Sequence, residues 1–159
     1  MKTYGPLLVT FTSIVVMLAG CGGESDTPTT PGRGSLRVVV TPNPIVAQKV
    51  AGTSRTYDFP FEVALTETGG RTVTLTALYL ELKALSIPVF TKTYDAAYLR
   101  GRDYSPVVPA SSTVRYSFNP REDAIDAVFS SSVEADIRAE GVDDRGNVVR
   151  QTTTVSVRR

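Results

Sequence analysis

Histidine and tryptophan are missing from this sequence of 159 residues, and cysteine occurs once. Without histidine, the usual general base at neutral pH and the commonest metal ligand are gone. Without tryptophan, a frequent platform for stacking sugars is gone. A single cysteine, Cys21, permits no disulfide within the chain and no cysteine-rich zinc site. The familiar nucleophile–base pairs of covalent catalysis are excluded by the same two shortages. Charge is also scarce in net terms, at +1. There is no basic field for nucleic acid and no polybasic patch for anionic lipid.

The composition that is present is ordinary and globular, with 42% hydrophobic and 21% charged residues. Val, Thr and Tyr are prominent, and 10 prolines with 12 glycines suit many turns. These residues point to an all-β protein before any periodicity is read.

The N-terminus is a different kind of segment. Lys2 is followed by an apolar stretch from Pro6 to Met17. That stretch is too short for a transmembrane helix, which needs about 20 apolar residues, and it fits the apolar region of a signal peptide. Directly behind it stands Leu18-Ala19-Gly20-Cys21. This tetrapeptide resembles the lipobox of bacterial lipoproteins at every position. The resemblance implies thioether lipidation of Cys21, cleavage before it and acylation of the new amine. Two or three acyl chains hold a protein firmly at a membrane, where one binds marginally. Gly22 and Gly23 differ from the aspartate associated with inner-membrane retention, so an outer-membrane address is expected. Without Lys2, the remaining 16 basic side chains balance 16 acidic ones.

Residues 21–35 then read as the lipidated cysteine and a spacer. Gly22 to Ser35 contains only Gly, Ser, Thr, Pro and charged residues, and nothing in it is expected to be buried.

From residue 36 to residue 159 the pattern switches to period two. Leu36, Val38 and Val40 alternate with Arg37, Val39 and Thr41 before Pro42-Asn43-Pro44 breaks the run. Tyr57, Phe59, Phe61, Val63 and Leu65 share one face, with Pro60 marking an edge or a bulge. Between Val73 and Leu82 the apolar register flips near Thr76-Ala77, which a β-bulge produces. A helix across Leu75–Leu85 is the rival reading, and Thr72, Thr74 and Thr76 argue against it. Residues 86–112 are the least legible, with a strand over Ile87 to Tyr94 interrupted at Pro88 and a loop from Arg100 to Pro106. Val114, Tyr116 and Phe118 mark another strand. Asn119-Pro120-Arg121-Glu122 has the spacing of a helix start, so a short helix is expected over Pro120–Phe129. Val133, Ala135, Ile137 and Ala139 alternate with charged residues. Asp143-Asp144-Arg145-Gly146 then turns the chain into a return strand with Val149, Thr153, Val155 and Val157 inward.

About seven strands with frequent turns predict a single antiparallel β-sandwich with one short helix. The opening Val38–Pro44, the Leu65–Gly70 turn, the Pro120–Phe129 segment and the hairpin Glu140–Asn147 resemble bacterial immunoglobulin-like or fibronectin-III-like modules. The resemblance implies an Ig-like domain without the Cys…Trp…Cys core of antibodies. Such modules serve as spacers, adhesion units or carbohydrate-binding appendages, so the fold does not choose a function.

Three constellations merit weighing. Glu134, Asp136 and Glu140 lie on the solvent side of a predicted strand and read as a solvated face rather than a glycosidase pair. Asp143, Asp144 and Asn147 offer oxygen ligands for calcium in one turn, but Asp, Asn and Gly are turn residues in any case. Tyr94, Tyr98 and Tyr104, with Arg100 and Arg102, form an aromatic–basic cluster of the kind that anchors recognition. The plainer reading is that these tyrosines cover the open edge of the core. The expectation is a membrane-anchored, non-enzymatic envelope module without cofactor, meeting a protein or glycan through residues 94–106. A passive envelope component and a small calcium-binding module are the alternatives.

Overall fold

The computed structural model describes residues 32–124, 129 and 132–159. The lipobox, Leu18 to Cys21, lies outside the described residues. Among the described residues, seven strands of six residues or more form two facing sheets. The first sheet has the order β1-β5-β9, from Leu36–Thr41, Phe61–Glu67 and Thr113–Phe118. The second is built on β6 (Val73–Ala84), β7 (Ile87–Asp95), β11 (Val133–Asp143) and β12 (Val148–Arg158), with short β2 (Ile45–Val46) at one edge. Its order is β2-β12-β11-β6-β7, and β8 (Val107–Val108) pairs β6 beside β7. A third small sheet joins β3 (Gln48–Lys49), β4 (Thr56–Asp58) and β10 (Arg121–Asp123). The Ig-like β-sandwich expected from the sequence is the observed fold.

Period-two patterning explains why the sheets face each other. Along β1 the residues alternate buried and exposed throughout. Along β11 Val133, Ala135, Ile137 and Ala139 turn inward, while Asp136 and Glu140 turn outward to pair with neighbours. Leu36, Val38, Val40, Val63 and Leu65 of one sheet are buried in the same core as Leu75, Leu80, Ile137, Val149 and Val155 of the other. Apolar burial of this kind stabilises by roughly 25 cal/mol per Å². The register flip near Thr76-Ala77 is a bulge, with Glu140 opposite Ala77 and Gly141 opposite Leu75. It turns both Ala77 and Leu78 inward. Gly141 sits there because a Cβ would meet the Thr74 carbonyl oxygen at 2.5 Å. The strand reading of Leu75–Leu85 therefore holds over its helical rival through Ala84.

Pro42 and Pro44 lack an amide N–H, so β1 cannot continue past Thr41. The chain leaves the first sheet there and joins the second through β2, which pairs in parallel with β12.

Two expectations are corrected. The helix expected to begin at Pro120 begins instead as strand β10, antiparallel to β4. Arg121 donates to Asp58 from Nε and Nη2 at 2.7 and 2.9 Å, and Thr56 Oγ1 donates to Asp123 at 2.7 Å. Phe59 N–H donates to the Pro120 carbonyl at 3.0 Å. These cross-strand partners outweigh a local capping signal, which is worth only about 1 kcal/mol. Residues 125–128 of that expected helix lie outside the described residues. Among the described residues the α-helix is instead α1, Ala96–Gly101.

The second correction falls at the start of the domain. The spacer reading treated Gly22 to Ser35 as unburiable, yet Gly34 is buried and Ser35 half-buried. Gly34 N–H donates to Asp143 Oδ2 at 3.0 Å, and Ser35 N–H donates to Glu67 Oε1 at 3.1 Å. Arg33 Nη2 donates to the Val148 carbonyl at 2.9 Å. A side chain at Gly34 would meet Asp143 Cβ and Val73 Cγ2, both at 2.9 Å. The packed domain thus begins before Leu36.

Candidate functional site

The aromatic–basic segment is organised by α1. Asp95 caps the helix, accepting from the Tyr98 N–H at 2.7 Å. Leu99, fully buried, pins the helix to the core. Arg102 N–H and Tyr104 N–H both donate to the Leu99 carbonyl at 3.0 Å and close the helix. Asp95-Ala96-Ala97 is a cap followed by good helix formers, a signal that could have revealed this helix in the sequence.

The five residues singled out in the sequence do not act together. Tyr104 stands apart. Its hydroxyl donates to the Ser117 carbonyl at 3.2 Å and accepts from the Ser117 N–H at 3.1 Å, and its ring meets Tyr116 edge-on at 5.5 Å. It covers the core edge, as the plainer reading expected. Arg100 is exposed near the helix end and does not line the cavity that its neighbours form.

Tyr94, Tyr98 and Arg102 do converge. Tyr94 stacks on Phe118 at 4.3 Å and contacts Tyr98 at 5.0 Å. The Arg102 guanidinium lies 5.4 Å from the Tyr98 ring centre, within cation–π range. Together with Lys92, Asn119 and Glu122 they line a cleft of about 290 Å³ at the open edge between the sheets. Pro120 and Arg121 complete its wall.

Tyr94 is 3% exposed, yet its hydroxyl has no hydrogen-bond partner. Such buried orphans are rare, because leaving one unmade costs about 1–3 kcal/mol. Burial first, then the neighbouring Tyr98 and Glu122, push its pKa far above the ordinary tyrosine value, so the hydroxyl keeps its proton. In addition, among the described residues, no ion pair engages Lys92, Arg102 or Glu122, a state that Lys92 and Arg102 share with Arg37, Arg55 and Arg100, while Arg71, Lys83, Arg115, Arg121, Arg138 and Arg150 are each paired with a carboxylate.

The calcium candidates are arranged differently. Asp143 is buried, and its carboxylate accepts from the N–H groups of Gly34, Arg145 and Asn147 and from Asn147 Nδ2 on both oxygens. The Gly34 N–H, followed by the Asn147 and Arg145 donors, outweighs burial and holds the carboxyl far below its ordinary pKa. Its oxygens face donors, the inverse of a cation site. Asp144 pairs with Arg71 instead. Among the described residues, no group of three or more acidic, histidine or cysteine side chains is placed to hold a metal ion.

Sequence reasoning missed Glu67, which is 1% exposed. Its carboxylate accepts from the N–H groups of Ser35, Gly69, Gly70 and Ser111 at 2.7 to 3.1 Å. Burial pushes its pKa up, but the backbone donors, led by Ser111 and Ser35, outweigh this and leave it lowered. A glutamate beside Gly69-Gly70 reads as a solvated turn residue, so no local signal announces its burial.

No family model matches the chain, and no curated protein matches its sequence. Solved structures do resemble it. The X-ray structure of Northeast Structural Genomics Consortium target SoR45 superposes with a TM-score of 0.58 at 12% identity, covering 78% of this chain and 86% of that one. The crystal structure of the protein assigned as ApaA from Bordetella pertussis superposes with a TM-score of 0.55 at 14% identity, covering 83% and 99%. The CARDB domain of PF1109 from Pyrococcus furiosus has a TM-score of 0.34 at 14% identity, covering 79% and 96%. At such identities the first two likenesses are ones of fold alone.

Proposed function

We propose that this protein is a lipid-anchored module of the bacterial cell envelope that binds a ligand, without catalysing a reaction, through the cleft lined by Tyr94, Tyr98 and Arg102. The observation that carries the binding reading is the cleft itself, where the exposed Lys92 and Arg102 and the half-buried Glu122, none held in an ion pair among the described residues, stand beside the rings of Tyr98 and Phe118. A concave site lined by aromatic rings and a few convergent polar groups is where a ligand binds. The anchor reading rests on Leu18-Ala19-Gly20-Cys21 behind an apolar signal segment. Acyl chains on Cys21 would keep the domain at the membrane, the outer membrane by the identity of Gly22 and Gly23.

The test has two arms. Intact mass and membrane partitioning are compared for the wild type and Cys21→Ser. The expected result is a truncated, acylated species that the variant loses, and an unlipidated product from both would overturn the anchor. The water-released Cys21→Ser protein is then sedimented with isolated cell envelopes. It is expected to co-sediment and to remain in solution when Tyr98→Ala and Arg102→Ala are added. Equal sedimentation with and without these changes would overturn the cleft as the binding site.

A further inference from the structure

We infer that the cleft at the β7–α1 edge takes an acidic saccharide, with its carboxylate directed to Lys92 and Arg102 and its hydroxyls to Asn119 and Glu122. This rests on the reading of the cleft as a binding site and adds the class of ligand.

The lining is mixed in a particular way. Lys92 and Arg102 only donate hydrogen bonds, Glu122 only accepts, and Asn119 does both. A sugar hydroxyl is itself donor and acceptor, so a set of both kinds satisfies it better than a set of one kind. The apolar parts of the wall are Phe118, Pro120 and the rings of Tyr94 and Tyr98, surfaces against which the C–H faces of a pyranose pack. Two unpaired cations against one unpaired carboxylate leave the lining with an excess of positive charge. Arg121 adds none, because Asp58 holds it through two hydrogen bonds. Arg102 is fixed over the Tyr98 ring, which pre-orients its planar fork for a carboxylate. The cleft volume of about 290 Å³ is at the lower end of small-ligand pockets, the size of one or two sugar rings rather than a protein surface.

The test is isothermal titration calorimetry of the full-length lipoprotein in detergent micelles with three probes. These are trigalacturonic acid, the neutral galactotriose of the same linkage, and triglutamate. Trigalacturonate is expected to bind about tenfold more tightly than galactotriose, the value of one charge-assisted contact. Lys92→Ala and Arg102→Ala, both at exposed positions, are each expected to weaken trigalacturonate by about tenfold and leave galactotriose unchanged. Equal binding of the two sugars would overturn the acidic class. Triglutamate binding as tightly as trigalacturonate would overturn the saccharide and leave an anionic peptide as the occupant. Binding of none of the three would overturn the inference, whereas the envelope reading stands or falls on sedimentation.

Discussion

Two regions of this domain treat buried polar groups in opposite ways. Where the chain enters the sandwich, Glu67 and Asp143 are buried carboxylates, and each accepts hydrogen bonds from N–H groups on several separate segments. In the cleft, the Tyr94 hydroxyl is as deeply buried and bonds to nothing, and Lys92, Arg102 and Glu122 have no ion-pair partners. Both regions carry charge, and composition alone makes them look alike. The difference is satisfaction. A charge whose hydrogen bonds are all made within the fold is scaffold, and an exposed one that no ion pair holds is open to a partner from outside.

Removing the satisfied groups breaks the comparison most severely. Glu67→Ala strands four N–H groups from Ser35, Gly69, Gly70 and Ser111, and is expected to cost about 3 kcal/mol in urea unfolding. Gly69→Ala attacks the same junction sterically, since its Cβ would overlap the Arg33 carbonyl oxygen. A midpoint unchanged by Glu67→Ala would show that these donors find water instead.

Acid tests the same region more gently. The Glu67 and Asp143 carboxyls are held below their ordinary values of 4.5 and 3.8. The unfolded chain therefore takes up protons at higher pH than the folded domain does. Their stabilisation is fully present above about pH 5 and is lost progressively as pH falls through and below those ordinary values. Urea midpoints measured from pH 7 to pH 3 should fall steeply for the wild type. The Glu67→Gln, Asp143→Asn double variant should start lower and fall less. Parallel curves would assign the acid loss to other carboxylates, such as Asp58 and Asp136, which Arg121 and Lys83 hold down.

The cleft should respond with the opposite sign. Tyr94→Phe removes an unpaired hydroxyl and keeps the ring on Phe118, so the ligand-free protein is expected to gain about 1 kcal/mol. The matched change Tyr116→Phe removes a hydroxyl that donates to the Ser105 carbonyl at 2.8 Å, and is expected to cost about that much. Burial pushes the Tyr116 pKa up to about 12, so both tyrosines are neutral under these conditions. Equal effects from the two substitutions would erase the distinction between satisfied and unsatisfied sites.

The smallest expected effect lies outside both regions. Leu85 and Ser86 connect β6 to β7 with φ of 50° and 66°, conformations that favour Asn and Gly. Replacing them by Asn-Gly is expected to stabilise by about 0.5–1 kcal/mol, leaving both regions untouched. A loss of thermal stability would show that the exposed Leu85 makes contacts that its position conceals.

Alternation made the long strands legible. Leu36–Val40 and Val133–Ala139 bury every second residue, and even the bulge near Thr76 showed as a break in period, whereas the alternation of Tyr57–Leu65 runs across two strands of different sheets, β4 and β5. The Pro120 segment misled because a capping pattern is local, whereas its strand partners at Thr56 and Asp58 lie more than sixty residues away. Tyr94, Tyr98 and Arg102 were recognisable as a cluster by residue type. Their companions Lys92, Asn119 and Glu122 were not, because β7 and β10 meet the cleft from different sheets.

By itself, then, the sequence determined the all-β class, the inward faces of the regularly alternating strands such as β1 and β11 and the resemblance of Leu18-Ala19-Gly20-Cys21 to a lipobox. These follow from period, composition and short motifs, which involve neighbours along the chain. Tertiary structure alone decided that Glu67 and Asp143 are structural, that Tyr104 belongs to the core edge, and that the Tyr94 hydroxyl lacks a partner. Each of those facts depends on which distant N–H or carbonyl reaches the group, and hydrogen bonding across the fold leaves no periodic trace in a sequence.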